Sequence, residues 1–203
     1  MTSGNRRSST DIALIAGFAA LICVCAILPS IKLTGPVPIT LQTFGVLLAG
    51  AVLGARRGLL AVLLYLAVGA AGLPVFSGGR AGLAVFQGPT VGYLVGFPLA
   101  ALCCGFLVQR LPRKQVATST PLLFAAGLVS SALFIHTLGM AGLVWRAPMS
   151  WSAAWDTDKI FWIGDVLKNI AMALVATAVH RAFPDLLGTR RTGAEKPRET
   201  ITA

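Results

Sequence analysis

Charge is what this chain has least of. Only 12% of its 203 residues are charged, about half the ~25% carried by soluble globular domains, and just seven are acidic. With a hydrophobic share of 56% and a mean hydropathy of +0.79, water is not its main solvent. Motifs of energised or covalent chemistry are missing as well. No G-x-x-x-x-G-K-[ST] phosphate loop occurs, so the chain does not power anything by its own ATP hydrolysis. H-E-x-x-H is absent, as is a serine or cysteine nucleophile paired with a base, which disfavours a membrane protease or lipase. Cys23 with Cys25, and Cys103 with Cys104, lack the C-x-x-C spacing of a zinc or redox site and read as small core residues. His136 and His180 have no second histidine or carboxylate at i+3 or i+4, so a packing or interfacial role is expected of them, and no metal or cofactor.

What is present is apolar length. A membrane-crossing helix needs about 20 mostly apolar residues, and segments of that kind fall at 12–28, 39–55, 59–72, 89–109, 121–140 and 159–181. The expectation is an all-α integral membrane protein, a six-transmembrane-helix bundle over residues 12–182. A cytoplasmic segment 1–11 precedes it, outer loops lie near 29–40, 73–88 and 141–158, and a polar, disordered cytoplasmic tail covers 183–203. The first span has no small-residue cleavage site after it and is read as a retained helix. Arg56, Arg57 and Gly58 make the turn between the second and third spans.

The net charge of +10 raises the question of nucleic acid, but the basic residues lie at the ends of apolar runs and not on one face, so no nucleic-acid partner is expected. Positive residues resist translocation. With both termini in the cytoplasm, twelve of the 17 basic residues fall inside: Arg6, Arg7, Arg56, Arg57, Arg110, Arg113, Lys114, Arg181, Arg190, Arg191, Lys196 and Arg198. Only Lys32, Arg80, Arg146 and Lys159 fall outside, and Lys168 stays within the last helix. Trp145, Trp151, Trp155 and Trp162 all sit on the outer side, where indole rings favour the headgroup level of the lipid bilayer. Small residues recur four apart at Ala16 and Ala20, at Gly50 and Gly54, and at Gly88, Gly92 and Gly96, a spacing that lets membrane helices approach closely.

Asp165 and Lys168 are the most informative positions. An ionisable group among apolar neighbours costs at least ~2.5–3.5 kcal/mol at a helix centre and is functional by default. At i and i+3 the two share a helix face, and Asn169 adds an amide beside them. An internal ion pair that only orders the bundle is the alternative. The outer loops supply matching groups. Thr40, Gln42 and Thr43 stand at the mouth of the second span, behind Pro36 and Pro38. The run Phe76-Ser77-Gly78-Gly79-Arg80-Ala81-Gly82 suits a flexible lid that closes Arg80 over an anion, although an ordinary solvated arginine would look the same. Tyr93 follows Gly88-Pro89-Thr90 within a turn. An apolar body with a few oriented polar groups and a cation makes a small-molecule site.

Several of these stretches resemble one family. Pro36-Val37-Pro38-Ile39-Thr40-Leu41-Gln42-Thr43-Phe44, Leu73-Pro74-Val75-Phe76, Gly78-Gly79-Arg80, Gly88-Pro89-Thr90-Val91-Gly92-Tyr93-Leu94 and Gly164-Asp165 with Lys168 are similar to the BioY family. Its members are biotin-specific substrate-binding (S) components of energy-coupling-factor (ECF) transporters. The resemblance spans roughly residues 12–182. It implies a six-helix bundle in the bacterial plasma membrane that takes up biotin from outside. Its partners would be a transmembrane coupling subunit and two cytoplasmic ABC ATPases, with Ala16 and Ala20 of the first helix facing the coupling subunit. Toward biotin it implies Asp165 for a ureido N–H, Lys168 or Asn169 for the ureido carbonyl, Arg80 or Lys168 for the carboxylate, Tyr93 and Phe76 beside the apolar part, and Gln42, Thr43 and Gly79 as further residues of the site. An S component for another vitamin and a membrane enzyme or assembly factor are the competing readings. A cationic vitamin would have little use for Arg80, and an enzyme would need a nucleophile or metal.

Overall fold

The computed structural model describes residues 3–30 and 37–187. Residues 31–36 of the first outer loop, with Lys32 and Pro36, and residues 188–203 of the expected tail lie outside them. Helix α1 spans Ser3–Ile27, α2 Gln42–Leu53, α3 Ala55–Ala70, α4 Val91–Arg110, α5 Thr120–Arg146 and α6 Trp151–Ala182. One extra turn, Arg113–Val116, separates α4 from α5. Among the described residues there is no strand, only isolated bridges. Four helices are long and apolar enough to cross a membrane, namely Ser9–Ile27 within α1, α4, α5 and α6, whereas α2 is a shorter apolar helix.

Helix α2 explains the arrangement of the rest. It carries no charge and, beyond Gln42 and Thr43 in its first turn, is apolar on every side, the pattern of a helix surrounded by others. Ten of its residues, from Gln42 to Leu53, are buried, with α1, α3, α4 and α6 packed around it. Small residues allow this density. A Cβ on Gly50 would run into the Ala101 carbonyl of α4, and one on Gly58 would stand 2.7 Å from Gly50 Cα. The side chains that face away from this centre are large and apolar, among them Leu63 on α3, Phe106 on α4, Leu133 on α5 and Ile163 and Leu167 on α6. That inverted surface is what a hydrocarbon environment requires.

Several boundaries differ from the sequence expectation, each for a local reason. The turn between α2 and α3 is the single residue Gly54, with φ of 82°, a left-handed conformation that glycine adopts without a steric cost. Arg56 and Arg57 therefore lie in the first turn of α3. Arg57 Nη1 meets Asp11 Oδ1 at 3.2 Å, so the segment expected before the first span is helical from Ser3 and tied to α3 by an ion pair. Residues 183–187 of the segment expected as a C-terminal tail are held as well: Arg57 donates to the Leu186 carbonyl, and Leu186 and Leu187 pack on the core. The outer connection expected over 141–158 shrinks to residues 147–150. There Ser150 caps α6 by accepting from Ala153 N at 3.2 Å, which satisfies one of the orphan donors of a helix start.

The segment after α3 is a pinned lid and not a floppy one. Phe76 is 1% exposed, and its ring meets Tyr65 and Phe86 edge-on at centroid distances of 5.6 and 5.7 Å. It enters the space left by Gly69, whose missing Cβ would overlap the ring, and Gly82 N returns to the Gly69 carbonyl at 2.8 Å. Gly78 and Gly79 make the reversal between Phe76 and Arg80, both with positive φ.

Helix α5 contains a π-helical stretch, Ser131–His136. Thr137 Oγ1 donates to the Ala132 carbonyl, five residues back, at 3.0 Å. Such widened turns are rare and concentrate at functional sites. Here the inserted residue rotates the helix so that His136 points into the bundle, where it is 2% exposed.

Candidate functional site

At the end of the bundle remote from Arg57 and Arg181, a cavity opens between the start of α2, the lid, the first turns of α4 and the outer half of α6. Its empty space is about 600 Å³ including the opening. Val37, Pro38, Ile39 and Thr40 form one wall, Gln42 and Thr43 continue it on α2, and Phe76, Ser77, Arg80 and Val85 close it from the lid. Thr90, Tyr93, Leu94 and Phe97 come from α4, Ile135 from the π-helical stretch, and Phe161, Asp165 and Lys168 from α6. Polar groups thus sit at its two ends with an apolar middle, the usual composition of a small-molecule pocket.

The deep polar end is built on Asp165, 4% exposed. Its Oδ1 accepts from Thr43 Oγ1 at 2.9 Å and pairs with Lys168 Nζ. Lys168 Nζ also donates to the Thr40 carbonyl and to Thr43 Oγ1, each at 3.0 Å. The three-residue spacing on α6 puts the carboxylate and the ammonium on one face, and Thr40, just before α2, and Thr43, in its first turn, supply oxygens for the remaining ammonium protons. Gln42, 5% exposed, donates to Tyr65 OH at 2.6 Å and accepts from Thr40 Oγ1 at 2.9 Å. At the mouth, Arg80 is exposed and donates through Nε to the Ser77 carbonyl at 3.2 Å. Its Nη2 stands 3.5 Å from Thr90 Oγ1.

Of the residues singled out in the sequence, Asp165, Lys168, Arg80, Tyr93, Gln42, Thr43 and Phe76 all line this one cavity. Asn169 and Gly79 do not. Asn169 Nδ2 donates to the Asp165 carbonyl of its own helix at 2.9 Å, and its Oδ1 points to Gly127 of α5, so it braces α6 against α5. Gly79 is exposed on the lid and serves the turn that carries Arg80. Ala16 and Ala20 are exposed on α1, far in sequence from the cavity and open to an approaching surface. Gly92 and Gly96 are spent inside the chain, packing α4 against α5 at Gly142 and Ile135.

Two cavity neighbours were not expected to matter. Asp158, placed by the sequence in an outer loop, is 0% exposed on the same face of α6 as Asp165, two turns earlier. His136, read as a packing residue, stands between the two carboxylates. Its Nδ1 is 2.8 Å from Asp158 Oδ2 and its Nε2 3.2 Å from Asp165 Oδ2. Asp158 also accepts from Tyr93 OH at 2.9 Å and from Trp162 Nε1 at 3.1 Å, and the Trp162 ring stacks on His136 at 4.5 Å. Tyr93 therefore offers its ring and not its hydroxyl to the cavity. Trp162 faces inward, unlike Trp145, Trp151 and Trp155, which are exposed. The seven-residue spacing of Asp158 and Asp165 was the available signal, but it reads as one face only once α6 is known to begin at Trp151.

Comparison with known proteins agrees with this architecture. The sequence pattern of the BioY family matches residues 2–185. The biotin transporter BioY of Rhizobium etli is 41% identical over 180 residues, covering 87% of this chain and 96% of that protein. The biotin transporter BioY of Rhodobacter capsulatus is 42% identical over 193 residues, covering 89% and 98%. Among solved structures, the S-component for biotin from an ECF-type ABC transporter superposes with a TM-score of 0.82 at 26% identity, covering 89% of this chain and 95% of that one.

Proposed function

The chain belongs to the BioY family, and from that premise we propose that it captures biotin at the extracytoplasmic face and passes it inward as the substrate-specific subunit of an ECF-type ABC transporter. It is a multi-pass bacterial membrane protein and a transporter component, not an enzyme. The observation that carries the reading is the cavity with Asp165, Lys168 and Thr43 at its deep end and Arg80 at its mouth. Biotin has matching ends. Its ureido ring presents two N–H donors and a carbonyl acceptor, its thiophane and valeryl chain are apolar, and its tail is a carboxylate. The ureido N–H donates to Asp165, and Lys168 or Thr43 donates to the ureido carbonyl. Phe76, Phe97, Tyr93 and Phe161 flank the apolar middle, and Arg80 takes the carboxylate.

Six crossings with both termini in the cytoplasm fit this role. Arg57, Arg110 and Arg181 stand at helix ends remote from the cavity, as a positive-inside orientation demands, while the exposed Trp145, Trp151 and Trp155 belong at the outer headgroups. The exposed Ala16 and Ala20 on α1 leave room for a transmembrane coupling subunit, behind which two ABC ATPases would supply the energy.

The test is binding of radiolabelled biotin to the purified protein, with thiamin and riboflavin as competitors. Saturable binding at nanomolar concentration that neither competitor displaces is expected; a folded protein that ignores biotin but takes up another vitamin overturns the assignment. Arg80→Ala is expected to weaken biotin about tenfold, or ~1.4 kcal/mol, and to leave a biotin amide nearly unaffected. An equal loss for both ligands in parallel titrations would remove Arg80 from the carboxylate.

A further inference from the structure

Behind the cavity lies a cluster of ionisable side chains that no ligand contact explains. Asp158 and His136 do not line the cavity, yet both are almost wholly buried, at 0% and 2% exposure. A buried carboxylate is costly unless it is paired and fully hydrogen-bonded, and Asp158 is, by Tyr93, Trp162 and His136. The chain of contacts does not end there, because the other ring nitrogen of His136 reaches Asp165 Oδ2 at 3.2 Å. Neutral imidazole has one donor and one acceptor nitrogen. Facing a carboxylate oxygen on each side, only the doubly protonated ring donates to both. The buried set then balances, with Lys168 and His136 positive and Asp165 and Asp158 negative.

We propose that His136 is a positioning residue for the substrate site, a cationic clamp that holds the Asp165 carboxylate at the deep end of the cavity and is itself held by Asp158. This rests on the reading of Asp165 as a biotin contact. Lys168 and Thr43 both act on Asp165 Oδ1, and Oδ2 has His136. Without the clamp, the carboxylate is free to turn about its own axis and Lys168 faces unbalanced charge. The clamp joins α5 to α6, and the π-helical turn at Ser131–His136 is the distortion that brings the ring into line. The Trp162 ring stacked on it at 4.5 Å and 19° fixes its plane and gives a cation–π contact. The charged groups that face His136 are Asp158 and Asp165 on α6; Lys168 of α6 lies beyond Asp165 and Tyr93 of α4 beyond Asp158.

Two measurements test this. In the first, biotin affinity is measured for wild type, Asp158→Asn, Asp165→Asn and the double variant. Asp158→Asn is expected to weaken binding about tenfold in the wild-type background and by less than about twofold in the Asp165→Asn background, since coupled groups are not additive. His136→Gln, which keeps a donor toward Asp165, should retain more affinity than His136→Leu. The same loss from Asp158→Asn in both backgrounds, or no loss at all, would overturn the clamp. The second needs no ligand: nitrogen NMR of histidine-labelled protein, with His136→Gln identifying the signal. Both ring nitrogens of His136 are expected to carry protons at neutral pH, and a neutral single tautomer would overturn the proposal. A protein that shows the doubly protonated ring but does not bind biotin would instead reject the biotin reading and leave the clamp standing.

Discussion

Asp165→Asn is expected to lower biotin affinity by at least about a hundredfold, close to 3 kcal/mol at ~1.4 kcal/mol per decade. The carboxylate is 4% exposed and has three partners: Thr43, Lys168 and His136. Removing one member of a buried, hydrogen-bonded ion set costs about 3–5 kcal/mol, because the remaining charges lose their counter-ion. Lys168 in the cavity and His136 behind it would then lose the carboxylate between them, and the ureido N–H of biotin would meet a neutral amide that can turn its own N–H toward it. Part of the cost falls on the fold, so the comparison should be made on detergent-purified variants that elute as a single species. Affinity within a few-fold of wild type would show that Asp165 and Lys168 form an ordering pair only.

Gly92→Ala is expected to destabilise the bundle more than any other single methyl addition to α4. A Cβ at Gly92 would overlap the Leu138 carbonyl and lie 2.9 Å from Gly142 Cα, and neither is the tip of a flexible side chain that could move aside. Helices α4 and α5 must separate, at a cost of about 1–3 kcal/mol for overpacking. Tyr93, the next residue, would lose its seat over Gly139 and with it the aim of its hydroxyl at Asp158. Both the thermal midpoint in detergent and biotin affinity should fall. Gly17→Ala on α1 is the matched control, because nothing lies within 4 Å of its added methyl and alanine favours a helix by up to ~1 kcal/mol. Its midpoint should hold or rise. If Gly92→Ala melts with wild type, the close α4–α5 approach is wrong.

Much of the cavity was legible from residue chemistry. Asp165 and Lys168 stood out because charge within an apolar run has few explanations, and their three-residue spacing dictated a shared face. Arg80 was visible as a lone cation among glycines, although its lid proved to be anchored: Phe76 reaches a space that only the absent side chain of Gly69, seven residues earlier, leaves open. Asn169 misled for the same kind of reason. Adjacency to Lys168 placed it near the site, but one residue along a helix is a rotation of about 100°, enough to turn it toward α5.

Composition and the run of apolar residues, taken alone, determined that the chain is helical and that it lies in a membrane, and they singled out Asp165 and Lys168 as candidates for its site. Those conclusions depend on solvation, which each residue carries with it wherever it folds. The clamp was decided only by tertiary structure. His136 meets Asp158 across 22 residues and Tyr93 meets Asp158 across 65. Whether such groups touch depends on the rotation of α5, set by one widened turn, and on how closely glycines let α4 approach it. Helix phase and interhelical distance are properties of the packed bundle, and no local spacing encodes them.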